Sequence, residues 1–164
     1  SYINIMDEEK AQNNTWEFIK VVLISLAIVL PIRTYIAQPF IVSGESMEPT
    51  FHDGEYLIVD ELTYQFRQPE RGEVIVFRYP LNPSEFFIKR IIGLPGETVE
   101  IQSGKVVAKA VPNVTMTLKE NEYFVMGDNR PHSSDSRFWG TLPKDKIMGR
   151  AILRLWPIAR AEVL

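Results

Sequence analysis

The sequence contains no cysteine among its 164 residues and only two histidines, His52 and His132. Without thiols there are no disulfide staples, thiolate zinc sites or cysteine nucleophiles. Two histidines and no His-Glu-x-x-His pattern argue against a histidine-based catalytic metal centre, so neither a metal nor a cofactor is expected. No charge of one sign dominates: 18 Lys+Arg against 21 Asp+Glu give a net charge of −3. The sequence therefore lacks the basic footprint of a nucleic-acid binder. Internal repeats and low-complexity tracts are also missing. Any chemistry must use serine, threonine, lysine, tyrosine or carboxylates, on a chain long enough for one ordinary domain with a real core.

One long apolar run is present, and it lies near the N-terminus. Val21 to Ile32 carries no charge, and Phe18-Ile19 extends it across Lys20. From Trp16 to Ile32 this makes 17 residues, at the lower edge of a bilayer span. A buried core helix and the apolar part of a cleavable signal are the alternatives, but no small-x-small site separates the run from the rest of the chain. The expectation is a membrane anchor over 16–36 behind a polar tail of residues 1–15, with the lipid bilayer as partner. Lys10 and Lys20 precede the uncharged run Val21–Ile32 and Arg33 lies just beyond it, which puts the tail in the cytoplasm and residues 37–164 on the outer face of the cell membrane.

After Phe40 the pattern changes to short β-rich pieces: Tyr56–Asp60, Val74–Arg78, Phe86–Ile92, Thr98–Ile101, Lys105–Ala108, Glu122–Met126 and Ile147–Leu155. Gly- and Pro-containing turns separate them, such as His52-Asp53-Gly54 and Gly93-Leu94-Pro95-Gly96. Short strands with this punctuation predict a mainly β fold, a compact antiparallel domain beginning around Gln38-Pro39.

Three clusters carry polar groups in unusual settings. In Gly44-Glu45-Ser46-Met47-Glu48-Pro49-Thr50, Ser46 lies on a tight backbone whose amides could face an oxyanion; a lone serine there is equally a turn former. In Phe86-Phe87-Ile88-Lys89-Arg90-Ile91-Ile92-Gly93, alternation sends Lys89 and Arg90 to opposite faces. Lys89 facing the interior would be a neutral general base, and facing water it would be an ordinary edge lysine. The third, Gly127 to Arg137, has the density of Asp, Asn, Ser and Arg of a loop stitched by hydrogen bonds, or of a solvated turn.

Taken together, GESMEPTF, RGEVIVFRYP running on to FFIKRIIGLPGE, and GDNRPHSSDSRFWG, in this order behind an apolar segment, resemble the bacterial type I signal peptidases over roughly residues 16–156. The resemblance implies a single-span, membrane-bound serine endopeptidase with the β-fold shared by the self-cleaving repressor peptidases. It would remove signal peptides from exported preproteins after small residues at −1 and −3. Ser46 matches the family's nucleophile and Lys89 its general base, a Ser–Lys dyad. Ser133 matches the serine that directs the lysine. Asp128 with Arg90, and Asp135 with Arg137, match ion pairs that brace the site. The pocket walls fall on Phe40, Val42, Phe51, Phe87 and Ile88, with plain core packing as the alternative for each.

The sequence departs from the family in two places. Some members have a hydroxyl two residues before the nucleophile as an oxyanion donor; Gly44 stands there, so the expected donors are the Ser46 amide and either the Gly44 backbone or a water. The interval between the last two motifs is short, which implies a reduced cap around residues 98–121. A Ser–His pairing through His52 or His132 is the competing mechanism. A repressor-type peptidase would need a helix-turn-helix where the apolar run lies, and a non-enzymatic peptide-binding module would not need Ser46.

Overall fold

The computed structural model describes residues 2–31, 37–101 and 114–164. The chain divides into two units, Ser1–Ile36 and Ala37–Leu164. The first holds one helix, α1 (Tyr2–Pro31), 30 residues long. It includes most of the stretch expected as an irregular tail: Glu8 to Gln12 are good helix formers, and no Gly or Pro precedes Pro31. From Val21 to Pro31 every residue is exposed, so this segment presents apolar side chains on all sides. Among the described residues no helix is long and apolar enough to cross a membrane. The uncharged run after Lys20 covers only about 17 Å by Pro31, against about 30 Å of hydrocarbon. The expected anchor continues to residue 36, and 32–36 lie outside the described residues.

The second unit is mainly antiparallel sheet. Its strands are β1 (Ala37–Ile41), β2 (Tyr56–Asp60), β3 (Val74–Tyr79), β4 (Asn82–Gly93), β5 (Thr98–Ile101), β6 (Val114–Thr117), β7 (Glu122–Met126), β8 (Leu142–Pro143), β9 (Ile147–Trp156) and β10 (Glu162–Val163). The main sheet runs β1-β2-β9-β3-β4-β7-β8, with β10 beside β9, while β5 and β6 form a separate pair. Among the described residues the unit also holds two short α-helices, α2 (Thr63–Phe66) and α3 (Ser136–Trp139), and three single-turn 3-10 helices.

Five of the expected strands occur at the same or slightly extended bounds; Tyr56–Asp60, Thr98–Ile101 and Glu122–Met126 are unchanged. The strand expected at Lys105–Ala108 lies outside the described residues. β1 was hidden because Pro39 and the preceding apolar run both disguise it. Proline is tolerated there because, among the described residues, β1 pairs only with β2, leaving one edge open. β4 begins earlier than expected for the same reason: Pro83 lies where the strand pairs on one side alone.

β3 is buried on both faces, since its burial runs unbroken from Val74 to Phe77. One face joins Val42, Met47, Phe51, Leu57, Val74 and Ala151; the other joins Ile75, Phe77, Ile91, Tyr123, Val125 and Leu142. Each such side chain contributes roughly 1.5–3 kcal/mol of transfer free energy. These two cores fix β4 between them. Between Asn82 and Lys89, β4 pairs only with β3 among the described residues, leaving its other edge open, and the Phe40 and Phe86 rings meet edge-on at 5.7 Å. The open edges of β1 and β4 thus face a common cleft.

Candidate active site

The cleft has a volume of about 420 Å³, and Ser46 and Lys89 both line it. Ser46 sits on the loop between β1 and β2, and Lys89 on β4. Lys89 is only 4% exposed, and its Nζ donates to Ser46 Oγ at 2.8 Å and to the Ile88 carbonyl at 2.9 Å. Burial pulls its pKa from the ordinary 10.5 down to about 8, against the opposing charge of Asp135. At pH 7 about a tenth of such a lysine is neutral. Alternation along β4 sends the neighbouring Arg90 the other way. Its guanidinium forks onto Asp128, with Nε to Oδ1 at 2.8 Å and Nη2 to Oδ2 at 2.6 Å. Burial pushes the Asp128 carboxyl up, but this fork and the Thr50 hydroxyl at 2.6 Å hold it below the usual carboxylate range.

The loop after β7 closes the site from a third direction. Asp135, fully buried, caps α3 and accepts from Arg137 Nε at 2.8 Å, Arg137 Nη2 at 2.9 Å and the Gly127 amide at 3.0 Å. Ser133 was expected to hydrogen-bond Lys89. Its hydroxyl instead donates to Asp135 Oδ2 at 2.7 Å, and among the described residues the lysine's hydrogen bonds go to Ser46 and Ile88.

Two residues that sequence reading passed over hold the Ser46 backbone. The Asn129 amide donates to the Ser46 carbonyl at 3.0 Å, and its side chain to the Glu45 carbonyl at 3.1 Å. A Cβ at Gly127 would stand 2.4 Å from the Ser46 carbonyl and 2.3 Å from Ser133 Oγ. The only sequence signal for either was membership of the polar cluster.

The oxyanion expectation requires a correction at Gly44. Its amide donates to Asp53 Oδ1 at 2.7 Å, with Gly44 at φ +85°, so it is not available to a carbonyl oxygen. The Ser46 amide has no acceptor among the described residues. Of the expected walls, Phe40, Val42, Phe87 and Ile88 line the cleft, joined by Ile41, Leu57, Val76 and Phe86. Phe51 does not; it is 1% exposed within the core, with the Arg154 guanidinium 5.0 Å from its ring. Neither histidine bonds Ser46: His52 Nδ1 pairs with Glu48 and His132 Nδ1 with Asn129, each at 3.2 Å. Among the described residues no cluster of three or more metal-ligating side chains occurs.

A serine hydroxyl beside a buried amine, at one end of an apolar cleft bounded by two open strand edges, can carry acyl transfer on an extended peptide. The chain is similar to several known proteins. The family model described as signal peptidase, peptidase S26, matches residues 15–113 and 106–156. A signal peptidase I of Leptolyngbya laminosa is 39% identical over 179 residues, spanning 93% of this chain and 85% of that protein. A probable signal peptidase I-2 of Synechocystis sp. is 36% identical over 176 residues, spanning 96% and 81%. A crystal structure of a signal peptidase I from Enterococcus faecalis V583 matches with 32% identity and a TM-score of 0.43, over 51% of this chain and 97% of that one.

Proposed function

The chain belongs to the signal peptidase family, peptidase S26, and from that premise we propose that it removes signal peptides from exported preproteins by a Ser46–Lys89 mechanism. The observation that carries this reading is the 2.8 Å contact between Lys89 Nζ and Ser46 Oγ, made by a lysine sealed from water. The neutral amine takes the Ser46 proton as Oγ attacks the scissile carbonyl. The resulting ammonium gives that proton to the leaving amine as the C–N bond breaks, leaving an acyl-enzyme. Lys89, neutral again, draws a proton from water as the water oxygen attacks the ester; the ammonium returns that proton to Ser46 Oγ as the C–O bond breaks, and the new carboxylic acid ionises to solvent. The Ser46 amide faces the oxyanion. Asp135 and Arg137, Asp128 and Arg90, and Ser133 brace the framework without exchanging protons.

Substrate enters as an extended strand between the open edges of β1 and β4, where backbone pairing supplies affinity. Phe40, Val42, Phe87 and Ile88 narrow the cleft beside Ser46, which favours small residues at −1 and −3 by excluding larger ones. The uncovered apolar side chains of α1 support a membrane-bound enzyme. Its anchor is residues 16–36 and its tail is cytoplasmic, with Ala37 to Leu164 on the outer face.

The test is cleavage of a preprotein with an Ala-x-Ala site by the detergent-solubilised full chain, with the product's N-terminus sequenced. Wild type should cut once after that site, and Ser46→Ala and Lys89→Ala should each lose at least a thousandfold. Retained activity in Lys89→Ala, with loss in His52→Ala or His132→Ala, would establish the histidine pairing instead.

A further inference from the structure

The base has a neighbour to which the reaction scheme assigns no part in proton transfer. Phe87 and Lys89, two residues apart on β4, share a face, and the lysine Nζ stands 5.2 Å from the centroid of the Phe87 ring. That ring is held in place. Tyr79 stacks on it at 4.4 Å with planes 10° apart, Phe77 meets it edge-on at 6.3 Å, and Trp139 abuts both Tyr79 and Phe77. The face of an aromatic ring is electron-rich and attracts a cation within about 6 Å, more strongly where water is excluded. A neutral amine gains nothing comparable.

We propose that Phe87 is a positioning residue for the general base, whose ring face receives the ammonium formed when Lys89 takes the Ser46 proton and holds it toward the leaving amine. This rests on the Ser46–Lys89 reading above. The other groups facing Lys89 do little of that work. Ser46 is a neutral hydroxyl, and Arg90 turns away to Asp128. Asp135 favours the ammonium, but Arg137 binds both its oxygens. The ring therefore favours the charged amine against burial, and weakening its face shifts the balance toward neutral lysine.

The test replaces Phe87 in the full chain with 4-fluoro-, 3,5-difluoro- and pentafluorophenylalanine, which drain the ring face stepwise with little change in shape. Two midpoints are tracked: the Lys89 side-chain carbon resonance against pH, and kcat/KM for an Ala-x-Ala peptide against pH. The expected result is that both fall in order of fluorination, by about half a unit over the series, a threefold change in ionisation constant. If the most fluorinated chain does not fold, the two lighter variants still give the ordering. A Lys89 resonance midpoint unchanged across the series overturns the proposal, whatever the activity does. A resonance midpoint that steps down while the activity profile stays fixed upholds the ring's hold on the amine and overturns the dyad.

Discussion

Replacing Lys89 with methionine should abolish activity and, near neutral pH, stabilise the fold. The lysine's pKa is depressed from 10.5 to about 8 by burial, so the unfolded chain binds its proton more tightly than the folded one. Below about pH 8 both states are protonated, and the folded state carries the full cost of a desolvated ammonium, about 3 kcal/mol. As pH rises from 8 to 10.5 that cost disappears, because the folded state has already lost its proton and the unfolded state then loses its own. Between pH 7 and pH 10 the group's contribution should change by about 2.5 kcal/mol. Tyr64 and Tyr123, whose hydroxyls burial pushes up, also titrate differently in the two states at high pH. They are common to both proteins and cancel in the difference. Urea unfolding of the detergent-solubilised full chain, monitored by tryptophan fluorescence, gives the stability of wild type and Lys89→Met at both pH values. The gain from methionine should be about 2.5 kcal/mol larger at pH 7 than at pH 10. The orphaned Ile88 carbonyl subtracts about 1 kcal/mol at each pH and leaves that difference untouched. Equal effects at the two pH values would refute the buried ammonium.

Gly127→Ala should reduce kcat by at least a hundredfold with a smaller change in KM. Its methyl collides with the nucleophile's own carbonyl, so steady-state kinetics should show a loss mainly in turnover. Arg137→Ala leaves the buried Asp135 carboxylate without its guanidinium and should cost about 3–5 kcal/mol of unfolding free energy by urea titration. Phe51→Ala and Phe40→Ala should behave oppositely. The first loses about 3–5 kcal/mol of stability with cleavage-site choice intact, and the second broadens the tolerated −1 or −3 residue in a peptide-library assay.

Much of this site was legible only because three motifs stand together in one order and so resemble the signal peptidases. Taken singly, Ser46 reads as a turn former and Lys89 as an edge-strand lysine. Alternation alone separated Lys89 from Arg90. Strand positions were legible wherever apolar residues met Gly/Pro turns, as at Tyr56–Asp60 and Glu122–Met126. β1 was not, because its signal is the absence of a partner along one edge, and sequence carries no record of which edges stay open. The same limit explains Phe51: a core phenylalanine and a pocket phenylalanine look alike until burial on both sides is seen. The acceptors of the Gly44 amide and the Ser133 hydroxyl were not legible for a different reason. Each has a carboxylate within reach, Asp53 nine residues on and Asp135 two residues on, and only three-dimensional placement decides which acceptor a donor takes. Asn129 and Gly127 act through backbone carbonyls and free space, neither of which leaves a residue-type signature.

The central claim is that Ser46 becomes covalently attached to the carboxyl side of the cleaved bond. Incubating the solubilised full chain with an activated ester of an Ala-x-Ala peptide, quenching in acid and mapping the added mass by fragmentation tests it directly. The account predicts one acyl group on Ser46 in wild type and none in Ser46→Ala or Lys89→Ala. An adduct on any other residue, or undiminished peptide cleavage by Ser46→Ala, would contradict it.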